Sequence, residues 1–149
     1  MQLSELLQNV TVREILGPRD IEVAGLRYDS RQVQADDAFF AWRGQSSDGH
    51  RFLVDAVARG ARVLVVEELP EQEYPATLVL VDNSRRAMTA MAQTFYGDPT
   101  RQMAVVGVTG TNGKTTTTDL VEAILAEAGQ APAVVGTTNG PATSRGLLP

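Results

Sequence analysis

The chain is predicted to be an α/β protein of two units, a small sheet domain followed by the opening of a phosphate-loop domain. Three observations carry this. ARVLVVEE and ATLVLVD are short, continuous, valine-rich runs, the pattern of strands covered on both faces in a parallel sheet. NSRRAMTAMAQTFYG follows them with helical periodicity. GVTGTNGKTTTT, at 107–118, then joins an apolar run to a helical one through a glycine-rich turn.

Taken in order, MQLSELLQNV sets Leu3, Leu6 and Leu7 at helical spacing and reads either as a short helix or as a frayed leader. IEVAGLRYDS alternates Ile21 and Val23 and resumes after Gly25 with Leu26 and Tyr28, which predicts a bulged strand ending in an Asp-Ser-Arg turn. DDAFFAWRG is a second strand. In RFLVDAVARG, residues Phe52, Leu53, Ala56 and Val57 share one helical face, and Gly60 supplies the C-terminal cap. The two valine-rich strands follow, joined by the proline-bounded loop LPEQEYP. The next helix is capped by Asn83 or Ser84 and turns Met88, Met91, Ala92 and Phe95 to the core. Glycine, aspartate and proline meet in GDPTRQ, the expected domain boundary. Beyond it come a strand MAVVGV, the loop TGTNG, a helix KTTTTDLVEAILAEAG and a strand PAVVG, with Leu120, Val121, Ile124, Leu125 and Ala128 as packing stripe and Gly129 as stop. PATSRGLLP is loop. The sheet domain is expected over about 20–97 and the opening β-α-β over 101–149.

With 43% hydrophobic and 21% charged residues, the 149-residue chain has the make-up of a soluble globular protein. A net charge of −5 with no basic run excludes general affinity for nucleic acid or anionic membrane, so a bound anion must be held locally. The absence of cysteine rules out disulfides and thiolate metal sites, and no apolar window approaches a membrane span, so a cytoplasmic location is expected.

Of the 13 cationic residues, Lys114 is the one lysine, and it stands in the glycine loop. Successive backbone N–H groups and a helix N-terminus converge on phosphate in such a turn. Gly110 and Gly113 let the backbone approach; Lys114 would neutralise the β- and γ-phosphates, and the Thr115 hydroxyl would reach Mg²⁺. The common spacing G-x-x-x-x-G-K-[ST] asks for glycine at 108, where Val108 stands, and Gly110 lies three before Gly113 instead. The plain alternative is a glycine turn with one surface lysine. After Lys114 the acids are Asp119, Glu122 and Glu127, all on the helix, so the metal-holding carboxylate of a phosphoryl-transfer site is not found and the second domain reads as incomplete.

TGTNGKTT, together with YDSR at 28–31 and RGQSSDGHRF at 43–52, resembles the Mur ligases, ATP-dependent enzymes that extend the peptide of the bacterial cell-wall precursor. The resemblance runs from about Gly25 to Gly136. It implies a small N-terminal UDP-binding sheet domain, 1–98, followed by the truncated start of a P-loop ATP-binding domain, 99–149. It implies that Tyr28 and Ser30 line the uridine and diphosphate site, faced by a loop of Gln45, Ser46 and Ser47. ATP would be held by Gly110, Thr111, Asn112, Gly113, Lys114, Thr115 and Thr116, with Mg²⁺ at Thr115. The implied reaction adds the third amino acid to UDP-MurNAc-L-Ala-D-Glu, the UDP-MurNAc-dipeptide, in peptidoglycan synthesis. The D-alanyl-D-alanine-adding ligase is the near rival. The catalytic residues would lie beyond Pro149, and a monomer inactive in isolation is expected. An unrelated P-loop NTPase and a non-catalytic nucleotide-sugar-binding module stay open.

Three further residues carry competing readings. Asp29 and Arg31 suit a capped turn with a surface ion pair. His50, the one histidine, is better placed for helix-start or loop packing than for base or metal chemistry, since no neighbouring carboxylate pair or second histidine stands at ligand spacing. Trp42 is open to stacking on uracil or to packing in the core.

Overall fold

The computed structural model describes residues 1–44 and 48–136, and these fall into two compact units, Met1–Met103 and a second beginning at Ala104. In the first unit the elements run α1 (Leu3–Leu6), β1 (Val12–Leu16), β2 (Leu26–Arg27), β3 (Ala38–Phe40), α2 (Leu53–Ala58), β4 (Val63–Val66), β5 (Thr77–Val81) and α3 (Ser84–Phe95). The strands form one sheet ordered β1-β5-β4-β3-β2, parallel except for the antiparallel edge strand β1.

Alternation along the strands explains the layers, because successive side chains leave opposite faces. Phe40, Val63, Val65, Val79 and Val81 turn to one face, where Leu3 and Leu6 of α1 and Ala87 and Met91 of α3 cover them. Phe39, Leu64, Val66 and Leu78 turn to the other and meet Leu53 and Ala56 of α2. Every residue of β4 is buried, as the valine-rich run predicts for a strand inside a parallel sheet. Met88, Ala92 and Phe95 pack against the first cluster beside Met91, so the expected core stripe holds. Asn83 is the cap of α3, accepting from Arg86 N at 2.9 Å.

Three expectations need correction. The N-terminal segment takes the short-helix reading and packs into the fold: Leu3 and Leu6 are fully buried, and the unit includes Met1 instead of starting near residue 20. The backbone of Ile21–Val23 bonds to this segment, Leu3 N to Ile21 O and Val23 N to Met1 O, each at 2.8 Å. Its hydrogen bonds are therefore unavailable to the sheet, and the strand predicted over 21–28 shrinks to Leu26–Arg27. β1 is an added strand, whose register shifts between Val12 and Glu14 and so breaks the period-two signal.

The second unit holds α4 (Lys114–Glu127). No strand is found at 103–108 or 132–136 among the described residues, because a strand exists only through ladder partners and none is described there. The stripe on α4 is likewise uncovered, Leu120 and Ile124 being 60% and 67% exposed. No helix among the described residues is long and apolar enough to cross a membrane.

Truncation should discriminate between the units. Leu64→Ala is expected to lower stability by about 2–5 kcal/mol in urea denaturation. Ile124→Ala in this chain should change it by less than about 0.5 kcal/mol. Equal losses would contradict the burial described.

Candidate functional site

In open sheets with parallel strands, ligands settle outside the carboxyl ends of the strands. Here β2 to β5 end together, which gathers Tyr28, Glu67 and Asp82, the residues directly after β2, β4 and β5, and Trp42, two residues beyond β3, on one rim. Tyr28 is 63% exposed and stacks on Trp42, with ring centroids 5.6 Å apart and planes 28° from parallel. The Arg85 guanidinium carbon lies 5.2 Å from the centre of the same indole. Together with Met88 and Ala92 of α3 and Tyr96 at its C-terminal cap, these side chains line a groove of about 570 Å³. Trp42 is partly buried and also packs on the core cluster, so the core reading and the stacking reading meet in one residue.

Ser30 begins a one-turn 3-10 helix and is buried, 7% exposed. Asp29 caps that turn, accepting from Arg31 N at 3.1 Å, and its Oδ2 accepts from Arg31 Nη2 at 2.8 Å. The Arg31 guanidinium and backbone N–H hold the Asp29 carboxyl below its usual pKa. Asp55 is lowered likewise, first by the Ser30 hydroxyl and then by Arg59. The turn-and-ion-pair reading of Asp29 and Arg31 is what the structure shows, with Ser30 committed inward. Gln45, Ser46 and Ser47 lie outside the described residues.

Both stems of that loop are tied to the rim. Arg43 and Asp48 form an antiparallel bridge. Arg43 Nη2 donates to Glu68 Oε2 at 2.6 Å, and Asp48 Oδ1 accepts from His50 N at 3.0 Å and His50 Nδ1 at 2.7 Å. His50 Nε2 accepts from Glu67 N at 3.1 Å, while Glu67 Oε1 accepts from Ser84 N at 3.0 Å, at the start of α3. The donor atoms of Asp48, His50 and Glu68 lie within 4.8 Å of one another, a spacing that suits a cation. Both ring nitrogens of His50 are already engaged, however, and Glu68 already pairs with Arg43. The cluster reads as a structural tie, in keeping with loop packing for His50. Glu67 and Glu68 belong to it. Sequence could not show this, because its partners stand 17 to 25 residues apart.

In the second unit the glycine loop turns directly into the N-terminus of α4. Gly110 and Gly113 take φ of +154° and +77°, conformations that favour glycine. No side chain caps the N-terminus of α4. Lys114 Nζ folds back to donate to Gly110 O at 2.5 Å and Thr111 O at 3.4 Å. Thr111, Asn112, Thr115 and Thr116 are exposed around it, so the structure brings the seven residues 110–116 together on one loop and first helical turn.

Known proteins match along both units. A family model described as Mur ligase family, catalytic domain, matches residues 22–96, and one described as Mur ligase middle domain matches 108–147. Relatives from Syntrophomonas wolfei and Geobacter metallireducens, both named UDP-N-acetylmuramoyl-L-alanyl-D-glutamate--2,6-diaminopimelate ligase, are 44% and 47% identical over 137 residues. Each match covers 92% of this chain, which spans only 28% and 27% of the lengths of those relatives. Among solved structures, MurF from Acinetobacter baumannii superposes with a TM-score of 0.66 at 27% identity, over 85% of this chain and 27% of that one. MurF from Thermotoga maritima in complex with ADP does so with a TM-score of 0.52 at 30% identity, over 68% and 23%.

The carboxylates of the rim generate a pH prediction. Asp29, Asp48 and Asp55 all have folded pKa values below their ordinary ones, Asp48 chiefly through the backbone N–H and ring of His50. Their contribution is present above the ordinary carboxylate pKa, about 4, and is lost as pH falls through the lowered values. Melting temperature is expected to drop below about pH 4, and Asp48→Asn to flatten part of that fall. A melting temperature that rises on acidification would contradict these ties.

Proposed function

The chain belongs to the Mur ligase family, and from that premise we propose that it forms the substrate-holding and phosphate-holding portion of the ligase that adds the third amino acid to UDP-MurNAc-L-Ala-D-Glu. One observation carries this: identity of 44–47% is sustained over 92% of the chain with relatives named for that step. The D-alanyl-D-alanine-adding ligase is less favoured, since the MurF structures share 27–30% identity. The relatives' names support 2,6-diaminopimelate as the added residue. The division into an N-terminal UDP-substrate domain over 1–98 and the start of the central ATP domain from 99 is part of this reading. So is a cytoplasmic monomer working on a soluble nucleotide-linked precursor.

Uridine diphosphate is assigned to the rim of the first unit, with Tyr28 offering an exposed ring and Ser30 with loop 45–47 the polar contacts. ATP is assigned to 110–116, and the residues there fit it. A Cβ at 113 would meet nothing within 4 Å, and at 110 the nearest atom, Asn112 O, is 3.6 Å away, so the loop is open to an approaching phosphate. The backbone N–H groups of the loop and the first turn of α4 donate to phosphate oxygens. Lys114, which now donates to two backbone carbonyls, would hold the β- and γ-phosphates instead, as a compact charge that a planar guanidinium would not replace. Thr115 is the residue that would hold Mg²⁺, through its hydroxyl. Bound ATP supplies the phosphoryl group that activates the substrate carboxylate for attack by the incoming amine, and magnesium offsets its charge.

Two measurements test this. Calorimetry of the chain with UDP should show binding, weakened in Tyr28→Ala by about 1–3 kcal/mol if the ring stacks on the base. Ser30 is a poorer probe, because its burial makes a larger side chain disturb the fold itself. In a ligase carrying this sequence, Lys114→Ala should lower turnover by at least about a hundredfold with little loss of UDP affinity. Retained ligation in that variant would count against the loop assignment.

A further inference from the structure

Arginines in the first unit are commonly held by carboxylates: Arg31 by Asp29, Arg43 by Glu68 and Arg59 by Asp55. Arg85 breaks this pattern. It is exposed in the first turn of α3 and joins no ion pair among the described residues. Its guanidinium carbon lies instead 5.2 Å from the centre of the Trp42 ring. It is also the one charged residue among those lining the groove beside Tyr28 and Trp42, where Met88, Ala92 and Tyr96 continue the wall without charge. No carboxylate of the groove therefore competes with an incoming anion.

The other groups at hand do not supply positive charge. At the start of α3 the backbone donors are already in use, Ser84 N donating to Glu67 Oε1 at 3.0 Å and Arg86 N to Asn83 Oδ1 at 2.9 Å. Ser30 is buried and neutral. Tyr28, whose ring is 5.6 Å from that of Trp42, offers an aromatic face and no cation. Tyr28 and Arg85 thus flank the same indole, which keeps a stacking surface and a guanidinium within the span of one nucleotide.

We propose that Arg85 is the specificity-determining residue that makes this rim select a nucleoside diphosphate over a nucleoside: with the base stacked on Tyr28, its guanidinium leaves the Trp42 ring and pairs with the diphosphate oxygens. The proposal rests on the assignment of uridine diphosphate to this rim. A cation over a ring at an exposed site is held weakly, whereas the guanidinium fork meets two phosphate oxygens at once through charge-assisted hydrogen bonds. The exchange leaves no carboxylate unpaired. In a chain of net charge −5, a diphosphate needs such a local partner, because the general field repels it.

The probes are UDP and uridine, titrated into the 149-residue chain and followed by tryptophan fluorescence. Trp42 is the one tryptophan, so its emission reports this rim and not the glycine loop. The wild type should bind UDP at least about tenfold more tightly than uridine, the scale of a hydrogen bond to a charged group. Added salt should weaken UDP and leave uridine unchanged. In Arg85→Gln the preference should vanish, UDP affinity falling about tenfold and uridine affinity by less than about twofold. Arg85→Lys keeps the charge without the fork and should lie between. Equal losses for the two probes in Arg85→Gln, or no loss for UDP, overturn the proposal.

Tyr28→Ala separates this role from the nucleotide assignment, since loss of the ring should weaken UDP and uridine alike. If Tyr28→Ala changes neither affinity while Arg85→Gln still abolishes the preference, the base stack is wrong and the role of Arg85 stands. If the wild type binds neither probe, the nucleotide assignment fails and the proposal falls with it. Arg85 is exposed, so its variants should melt with the wild type, and the uridine affinity reports any disturbance of the aromatic pair.

Discussion

The first unit depends on one constraint: four parallel strands must be covered on both faces. A parallel ladder with an uncovered face would leave half of its valines and leucines in water. Phe39 and Phe40, adjacent in β3, leave opposite faces and anchor the two clusters, one under α1 and α3 and the other under α2. Since β2 to β5 run the same way, covering them also delivers Tyr28, Trp42, Glu67 and Asp82 to a single rim. The candidate nucleotide site is thus a consequence of strand direction, and the loops only elaborate it.

A chain of net charge −5 that is to hold phosphates cannot rely on a general attractive field. Its arginines are largely committed to neighbouring carboxylates: Arg31 to Asp29, Arg43 to Glu68, Arg59 to Asp55, Arg62 to Asp36 and Arg101 to Asp98. Pairs as exposed as these stabilise the fold little, but they fix side chains and leave little free positive charge. Lys114 differs in kind. Its partners are the carbonyls of its own loop, so it can turn to a phosphate without leaving a carboxylate unpaired. Backbone donors and one compact ammonium are enough where the contact is short and fixed.

What the sequence made legible follows from the range of the forces involved. β4, β5, α3 with its Asn83 cap, and the glycine loop before α4 were readable because each is specified by residues within about one turn or one strand of each other. The β1 strand was not, since an edge strand with polar residues and a register shift gives neither the period of a helix nor a clean alternation. The partner of Ile21–Val23 was equally hidden, because the hydrogen bonds go to Met1–Leu3 and not to the next strand. In the candidate site, the turn at Asp29–Arg31 could be foreseen from adjacent residues. The chain of contacts from Arg43 through Asp48 and His50 to Glu67 and Ser84 could not, as it exists only after β3, β4 and α3 have been brought side by side.

The same distinction explains the second unit. A glycine turn and a 14-residue helix satisfy their backbone groups from within, through bonds such as Thr117 N to Gly113 O at 2.9 Å. A strand satisfies nothing by itself, and Val105 and Val106 stand 70% and 74% exposed with their expected ladder unformed among the described residues. Among the described residues the glycine turn and helix are thus present without a supporting ladder. The donors of the loop are local, whereas holding those donors rigid against a developing phosphoryl charge is a non-local task. On the proposed reading, recognition of phosphate and catalysis on it are separable requirements for that reason: the first would need only the local residues 110–116, and the second a rigid support for them.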